Sequence, residues 1–451
     1  MGSFMRAVSM MAVAAGLLLA AGGARAQLPD PLAKIGHIVV IFEENRSFDS
    51  LFGKFPGADG LDNAVNAPMQ VDREGHVYPT LPPVIDSNLS PPGPDPRFPA
   101  NLPNAPFLIE GHVSKQQMTG DMIHAWYQEQ LQIDGGRMDK FVAWSNASSL
   151  VMGYFDGSET ANWKLASDYA LGDRMFHSAF GGSYLNHAYL VCSCAFRFPA
   201  APPRMVSQPG PNGVPVKDGQ VTPDGYGINT SRSIYLHAPS DTDFSRLVPP
   251  QTMPHIGDRL DAKRVSWAWY SGGYDDAMAG HPDPLFQFHH QPLAYFQNLA
   301  PGSPGQKAHL KDYKDMVAAI DAGTLPQVTF YKPIGQYNLH PGYANVTDGD
   351  AHLGELVARL QKSPNWADML ILITYDENGG QWDHVAPPQR DAWGPGTRVP
   401  LIAVGPTVKR HFIDHTSYDF GSILKTITLR FGAEPVAAAD ANATAMINLL
   451  Q

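Results

Sequence analysis

The chain has 451 residues, with 32 Lys and Arg against 43 Asp and Glu, a formal net charge of −11, and only two cysteines. Its Lys and Arg are not clustered, which argues against non-specific nucleic-acid binding, because that requires grouped cations to neutralise phosphates. Two cysteines cannot supply the disulfide framework of a small secreted domain, so stability must come from a large core or a bound ion.

Residues 1–26 read as a signal peptide. Arg6 gives a short positive start, Ala7 to Ala21 is almost wholly apolar, and Ala24-Arg25-Ala26 fits a small-x-small cleavage site. The apolar run is shorter than the roughly 20 residues that span a bilayer. A mature chain of 27–451 is therefore expected, exported to the periplasm or secreted, with no stable membrane insertion. Its charge becomes −13, because the leader holds Arg6 and Arg25 and no acid.

Gly36 to Phe42 is a β-branched apolar run ending in Glu43-Glu44-Asn45, a buried strand followed by acids. Pro56 to Pro106 is rich in Pro, Asn and Asp, without periodicity. Gly181-Gly182-Ser183 opens the apolar stretch Ala188 to Phe196. This segment reads either as an ordinary Ser N-cap after a Gly turn or as a helix N-terminus that receives an anion. Cys192 and Cys194 lie two apart and are expected to be buried free thiols, too close to bridge without strain. Pro199 to Pro254 is a second long irregular stretch, and the two together are expected as loop insertions that wall a site or run over the surface.

His289-His290, His340, His352 and His384 follow in the second half, with His112 and His124 in the first. Val328 to Tyr331 is a weaker strand candidate. Asp350 to Lys362 has helical spacing, with Asp350 as candidate cap. Met369 to Tyr375 repeats the earlier pattern, an apolar strand ending in Asp376-Glu377-Asn378. Val399 to Val404 is another strand candidate, and Phe420 to Phe431 a helix capped by Ser417 or Asp419, with Gly432 beyond it. Buried strands alternating with amphipathic helices predict one α/β domain around a largely parallel sheet.

In such sheets ligands gather at the carboxyl ends of strands. Two acidic pairs meeting there would repel unless a cation lay between them, which suits a divalent metal with oxygen ligands. Seventeen histidines add imidazoles able to ligate metal or hold phosphate oxygens.

At Ile41-Phe-Glu-Glu-Asn-Arg-Ser-Phe-Asp49 with Leu51-Phe52-Gly53, the chain resembles the phosphoesterase family of bacterial phospholipases C and acid phosphatases, within the alkaline phosphatase superfamily. The likeness resumes at Gly135 to Val142, at Ser183, at Thr374-Tyr-Asp-Glu-Asn-Gly-Gly380 and at Trp382 to Pro388, and extends from Gly36 to about Gly432. The resemblance implies an alkaline phosphatase-like fold and a divalent metal of unspecified identity held by Glu44, Asn45, Asp376 and Glu377. Ser183 stands in the place of the nucleophile and also contacts the metal. His112, Asp139, His289, His290 and His340 are implied around the phosphate, with His112 rather than His124 placed there, and His384 supporting from outside. Where the family has Gly-Pro before the nucleophile and Pro two residues after it, this chain has Gly182 and Leu185, and a more mobile loop is expected. His289-His290, and a shorter chain end than the larger haemolytic phospholipases have, lean the expectation towards a secreted acid phosphatase acting on small phosphate monoesters. A phospholipase C-type phosphodiesterase is the alternative, and a non-catalytic binder of metal or phosphate the third.

Overall fold

A computed structural model describes residues 30–451, so the expected signal peptide lies outside the described residues. Eight strands form one sheet: β1 (His37–Glu43), β2 (Ala170–Phe176), β3 (Trp267–Ser271), β4 (Leu310–Asp312), β5 (Val328–Lys332), β6 (Met369–Tyr375), β7 (Arg398–Val404) and β8 (Phe412–Asp414). Their spatial order is β8-β2-β7-β6-β1-β5-β3-β4. Every pairing is parallel except the two made by β7, which runs antiparallel between β6 and β2. The central strands β1 and β6 are apolar along almost their whole length because helices and loops cover both faces, as parallel sheets require.

Seven helices matter for the site: α1 (Phe48–Phe52), α2 (Trp126–Ile133), α3 (Ala161–Asp168), α4 (Ser183–Cys192), α5 (Tyr313–Ala322), α6 (Val346–Leu360) and α7 (Phe420–Phe431). Asp419 caps α7 by accepting from the Ser422 N–H, and Gly432 closes it in the left-handed region at φ 63°. The cap expected of Asp350 is made elsewhere. Helix α6 starts earlier, capped by Asn345, and Asp350 sits inside it, accepting from the Ala161 and Asn162 N–H groups at 2.7 and 2.9 Å. It therefore caps α3, nearly 190 residues away in sequence.

The cysteines also differ from expectation. Cys192 and Cys194 form a disulfide with Cα atoms 5.1 Å apart, inside the range such bridges need. Ser193 between them takes left-handed dihedrals (φ 49°, ψ 37°) at the end of α4, which turns both sulfurs to one side. Among the described residues no helix is long and apolar enough to cross a membrane.

Candidate active site

The register of β1 on β6 pairs Glu43 with Tyr375, so the two acidic segments leave the sheet side by side. Backbone hydrogen bonds keep them together: Asp376 N–H donates to the Glu43 carbonyl (3.1 Å) and Arg46 N–H to the Glu377 carbonyl (3.1 Å). Asn45 N–H donates to Asp376 Oδ1 at 3.0 Å. Asn45 adopts φ 53° to make this turn, a conformation Asn tolerates better than most residues. Gly379 (φ 62°) packs so tightly that a Cβ there would meet the Asn45 carbonyl oxygen at 2.6 Å.

Helix α4 brings the hydroxyl. Its N-cap is Gly182, which has no side chain to cap with, so Ser183 is the first helical residue and does not act as the cap. Ser183 Oγ instead donates to Glu44 Oε2 at 3.0 Å and lies 3.5 Å from Asn45 Oδ1. Only 4% of Ser183 is exposed. Gly181 (φ 83°) allows the close pass, since a Cβ there would lie 2.6 Å from the Trp126 nitrogen of α2.

Three further segments close around this centre. The turn Phe288–His290 is fixed by Trp269 Nε1 donating to the His290 carbonyl at 3.2 Å, and His290 Nε2 lies 3.0 Å from Glu44 Oε1. The His289 ring stands edge-on to it at 4.5 Å. Arg46 donates through Nε and Nη2 to the Leu339 carbonyl (3.1 and 2.9 Å), which sets the next residue, His340. His340 Nδ1 donates to the Pro341 carbonyl, so its Nε2 is the lone-pair nitrogen that accepts from Asn45 Nδ2 at 3.0 Å.

Two residues not expected from the sequence, His187 and Lys332, share the site, together with His124, the histidine placed second to His112. His187 is one turn of α4 beyond Ser183; its Nδ1 donates to the Ser183 carbonyl (2.7 Å), and its ring stacks on His290 at 5.0 Å. The i, i+4 spacing from Ser183 was the available signal. Lys332, at the end of β5, is fully buried, touches Glu44 Oε1, and donates to the Glu43 carbonyl at 3.0 Å. His124 points Nδ1 at the Met122 carbonyl (2.6 Å), which leaves Nε2 3.9 Å from Glu377 Oε1.

The other two expected residues have their contacts elsewhere. His112 ends a short turn and lays its ring against Phe98 at 5.0 Å. Asp139 meets Arg137 Nε at 3.4 Å in a group with Asp134 and Lys140. None of their hydrogen bonds, ion pairs or ring contacts reaches the cluster, and His124 takes the position expected of His112. His384 is bound to Asp49 at 2.7 Å, apart from Ser183.

The electrostatics of the cluster are out of balance. Burial, with the Glu44 charge beside it, pushes Asp376 up to about 8 against the opposing pull of Lys332. Glu377 rises well above the carboxylate range through burial and the Asp376 charge. Glu43, whose carboxyl has no partner, is pushed up to about 8 by burial, with Lys332 opposing. Asp376 Oδ2 and Glu377 Oε1 are likewise buried without a hydrogen-bond partner. Such oxygens are costly unless a cation meets them. Glu44, Asn45, Asp376 and Glu377 thus fit a hard divalent ion by donor chemistry and by unsatisfied valence. Glu44, His187 and His290 also present ligand atoms within 4.8 Å of one another. Burial lowers His187, His289, His290 and His340 well below the usual imidazole range, Lys332 adding to this in each case.

A profile of the phosphoesterase family matches residues 35–434. The chain is 26% identical over 439 residues to a non-hemolytic phospholipase C of Burkholderia pseudomallei, covering 88% of this chain and 55% of that protein. It is 25% identical over 443 residues to phospholipase C A of Mycobacterium tuberculosis, covering 90% and 74%. The chain spans about half the length of the first curated relatives it matches. Among solved structures, murine ectonucleotide pyrophosphatase/phosphodiesterase 5 aligns over 64% of this chain and 94% of that one (9% identity, TM-score 0.36). An alkaline phosphatase superfamily protein from Vibrio parahaemolyticus aligns over 74% of each (8% identity, TM-score 0.34).

Proposed function

Because the chain belongs to the phosphoesterase family, we propose that it is a metal-dependent phosphoric ester hydrolase of phospholipase C type, cleaving phosphodiesters through Ser183. The observation that carries this reading is the Ser183 hydroxyl held 3.0 Å from Glu44 beside the unpartnered oxygens of Asp376 and Glu377. A divalent ion held by Glu44, Asn45, Asp376 and Glu377 would lower the pKa of a nearby hydroxyl and shield phosphoryl charge. Ser183 Oγ attacks phosphorus in line as its proton leaves towards Glu44; the Oγ–P bond forms and the bond from phosphorus to the leaving oxygen breaks. The entering phosphate anion raises the proton affinity of His289, His290 and His340, and an imidazolium among them protonates the leaving oxygen. Water then attacks the phosphorus of the Ser183-bound diester and gives its proton to the imidazole that protonated the leaving oxygen; the Oγ–P bond breaks, Glu44 returns the proton to Ser183 Oγ, and the remaining phosphate monoester departs.

The names of the relatives favour the diester reading over the acid phosphatase expected from the His289-His290 pair. The monoesterase remains the second reading, favoured by those two buried imidazoles beside Glu44. Rates on 4-nitrophenyl phosphate and 4-nitrophenyl phosphorylcholine decide between them: diester turnover is expected, monoester turnover alone reverses the order, and turnover of neither leaves a non-catalytic binder. Export to the periplasm or medium belongs to the same proposal and is read by cell fractionation. So does a small phosphoester as the working partner, with neither nucleic-acid binding nor stable membrane insertion.

A further inference from the structure

The turn that delivers Ser183 to α4 is His177-Ser-Ala-Phe-Gly-Gly182, with no proline to stiffen it. Two side chains hold it instead. Asn186, on α4 itself, accepts from the Ala179 N–H at 3.0 Å and donates to the Ala179 and Gly181 carbonyls at 2.9 and 3.1 Å. Those bonds fasten the turn to its own helix, but they do not fix where helix and turn together sit against the acids that follow β1 and β6. Glu129 of α2 reaches in from outside. Its Oε2 accepts from the Gly181 N–H at 2.5 Å, while its Oε1 accepts from the Thr397 N–H at 3.1 Å and faces His177 Nε2 at 2.8 Å. Among the described residues no other side chain outside α4 hydrogen-bonds to Gly181 or Gly182.

Glu129 and His177 are 1% and 0% exposed, and none of their hydrogen bonds reaches Ser183, Glu44 or Asp376. His177 Nδ1 donates to the Ala179 carbonyl at 2.8 Å, since a carbonyl only accepts. A second proton lies between His177 Nε2 and Glu129 Oε1. Gly396 leaves room for the pair: a Cβ there would stand 2.0 Å from His177 Cε1 and 2.6 Å from Glu129 Oε1. The Gly396 N–H donates to the His177 carbonyl at 2.8 Å and the His177 N–H to the Thr397 carbonyl at 3.2 Å, so the pair sits where the end of β2 meets the start of β7. Strand β7 in turn pairs with β6, which runs into Asp376 and Glu377. Glu129 therefore keys Gly181, two residues before Ser183, to the sheet that carries the metal-facing acids. A buried acid–base pair costs desolvation that an apolar contact of the same size avoids. Stability alone does not account for one here, whereas a fixed place for a reacting atom does.

Resting on the reading that Ser183 is the nucleophile, we infer that Glu129, with His177, is a positioning residue: it holds Ser183 Oγ at its 3.0 Å from Glu44 and in line for attack, without touching substrate or ion. The test is steady-state kinetics of the metal-loaded full chain carrying Glu129→Gln or Glu129→Asp, on whichever 4-nitrophenyl ester wild type turns over, phosphate or phosphorylcholine. Metal content is read by elemental analysis and folding by circular dichroism. The Gln variant keeps the shape, but its amide NH2 meets an N–H at one end or the other, Gly181 or Thr397. The Asp variant keeps the charge and falls a methylene short of Gly181. Each variant that folds should show kcat lower by about ten- to a hundredfold, with KM within about threefold of wild type and the metal content unchanged. A fall confined to Glu129→Asp still supports the inference, because only reach is lost there; one confined to Glu129→Gln assigns the effect to charge and overturns it. Wild-type kcat in every folded variant overturns it as well. So does a rise in KM at unchanged kcat, which would place Glu129 on the substrate, or a parallel loss of metal, which would make it a support of the acids. Loss of the fold in both variants overturns it too, since the pair would then hold the fold as a whole. Turnover of neither ester by wild type overturns the underlying reading instead.

Discussion

Two groups of buried charge grow from the same pair of loops, and they are finished in opposite ways. Glu44, Asn45, Asp376 and Glu377 leave carboxylate oxygens without partners around Ser183. A few residues further along both loops, Asp49 of α1, Asp383 and His384 meet Arg398 of β7. Here Arg398 Nε donates to Asp383 Oδ1 at 2.9 Å and Nη2 to Asp49 Oδ1 at 3.2 Å, while Nη1 donates to the Asp59 and Asp173 carbonyls at 2.7 and 2.8 Å. His384 donates to Asp49 at 2.7 Å, and Asp49 N–H to Asp383 Oδ2 at 3.2 Å. Burial pushes Asp383 only to about 6 because Arg398 opposes it. Burial works against a charged His384, yet the Asp49 hydrogen bond and charge outweigh it and raise its pKa. No buried polar atom of these four residues lacks a partner. Glu44 with His187 and His290, and Asp49 with Asp383 and His384, each present ligand atoms within 4.8 Å of one another, so proximity of ligands does not tell the two groups apart. Satisfaction does: the Arg398 guanidinium reaches both carboxylates of the second group and clamps the loops, while in the first Lys332 reaches Glu44 and leaves Asp376 Oδ2 and Glu377 Oε1 unpartnered, with spare valence for an ion and a substrate.

The sharpest break of this comparison is at Ser183. Ser183→Ala should leave the fold intact and lower turnover by at least about 10³-fold, since the covalent route is closed; near-normal turnover by the folded variant would remove Ser183 as nucleophile. On the other side, Arg398→Met should cost about 3–5 kcal/mol, because the buried carboxylates of Asp49 and Asp383 lose their guanidinium. Denaturant unfolding reads it, and a loss below about 1 kcal/mol would mean the clamp does not hold the loops. Chelation comes next. An ion bound at a hundredfold excess over its Kd contributes about 2.7 kcal/mol, so stripping metal should lower Tm and abolish activity in wild type. Neither should change in Asp376→Asn, where elemental analysis should find the metal already depleted. Full activity after exhaustive chelation would contradict the contrast at its root.

The smallest effect separates acid damage to the fold from acid damage to the site. His352 on α6 accepts from the Tyr331 hydroxyl at 2.6 Å and stacks on Tyr337 at 4.8 Å, and burial pushes its pKa down to about 4. The unfolded chain binds this proton near pH 6.5, the folded chain only near 4. The unfolded state therefore takes up more protons in between, and stability is complete above pH 6.5 and lost as pH falls towards 4. The loss is on the order of 1–3 kcal/mol. His352→Gln should flatten the stability profile in that window without shifting the pH–rate profile; an unchanged stability profile would show that His352 does not carry the acid loss.

Much of the sheet was legible in the chain because its signals are local. Gly36 to Phe42 and Met369 to Tyr375 are apolar and β-branched whatever surrounds them, and Asp419 and Gly432 mark the ends of α7 by their own backbone preferences. The repeated acid-acid-Asn after two such strands placed four candidate oxygen donors at one edge, since strands in a parallel sheet share their carboxyl ends. What the tertiary structure alone decided were the partners chosen across distance. Asp350 looked like the cap of its own helix and caps α3. Lys332 follows the weak strand candidate Val328 to Tyr331 with no local signal of a role, yet the pairing of β5 with β1 sets its ammonium against Glu44. His124 and not His112 meets the cluster because the loop before α2 folds under Gly181 and Gly182. Cys192 and Cys194 close on each other because Ser193 enters the left-handed region. Local preference is settled within a turn or a strand, whereas an ionic or hydrogen-bonding side chain takes its meaning from whatever the sheet register brings beside it, and one sequence window does not contain that register.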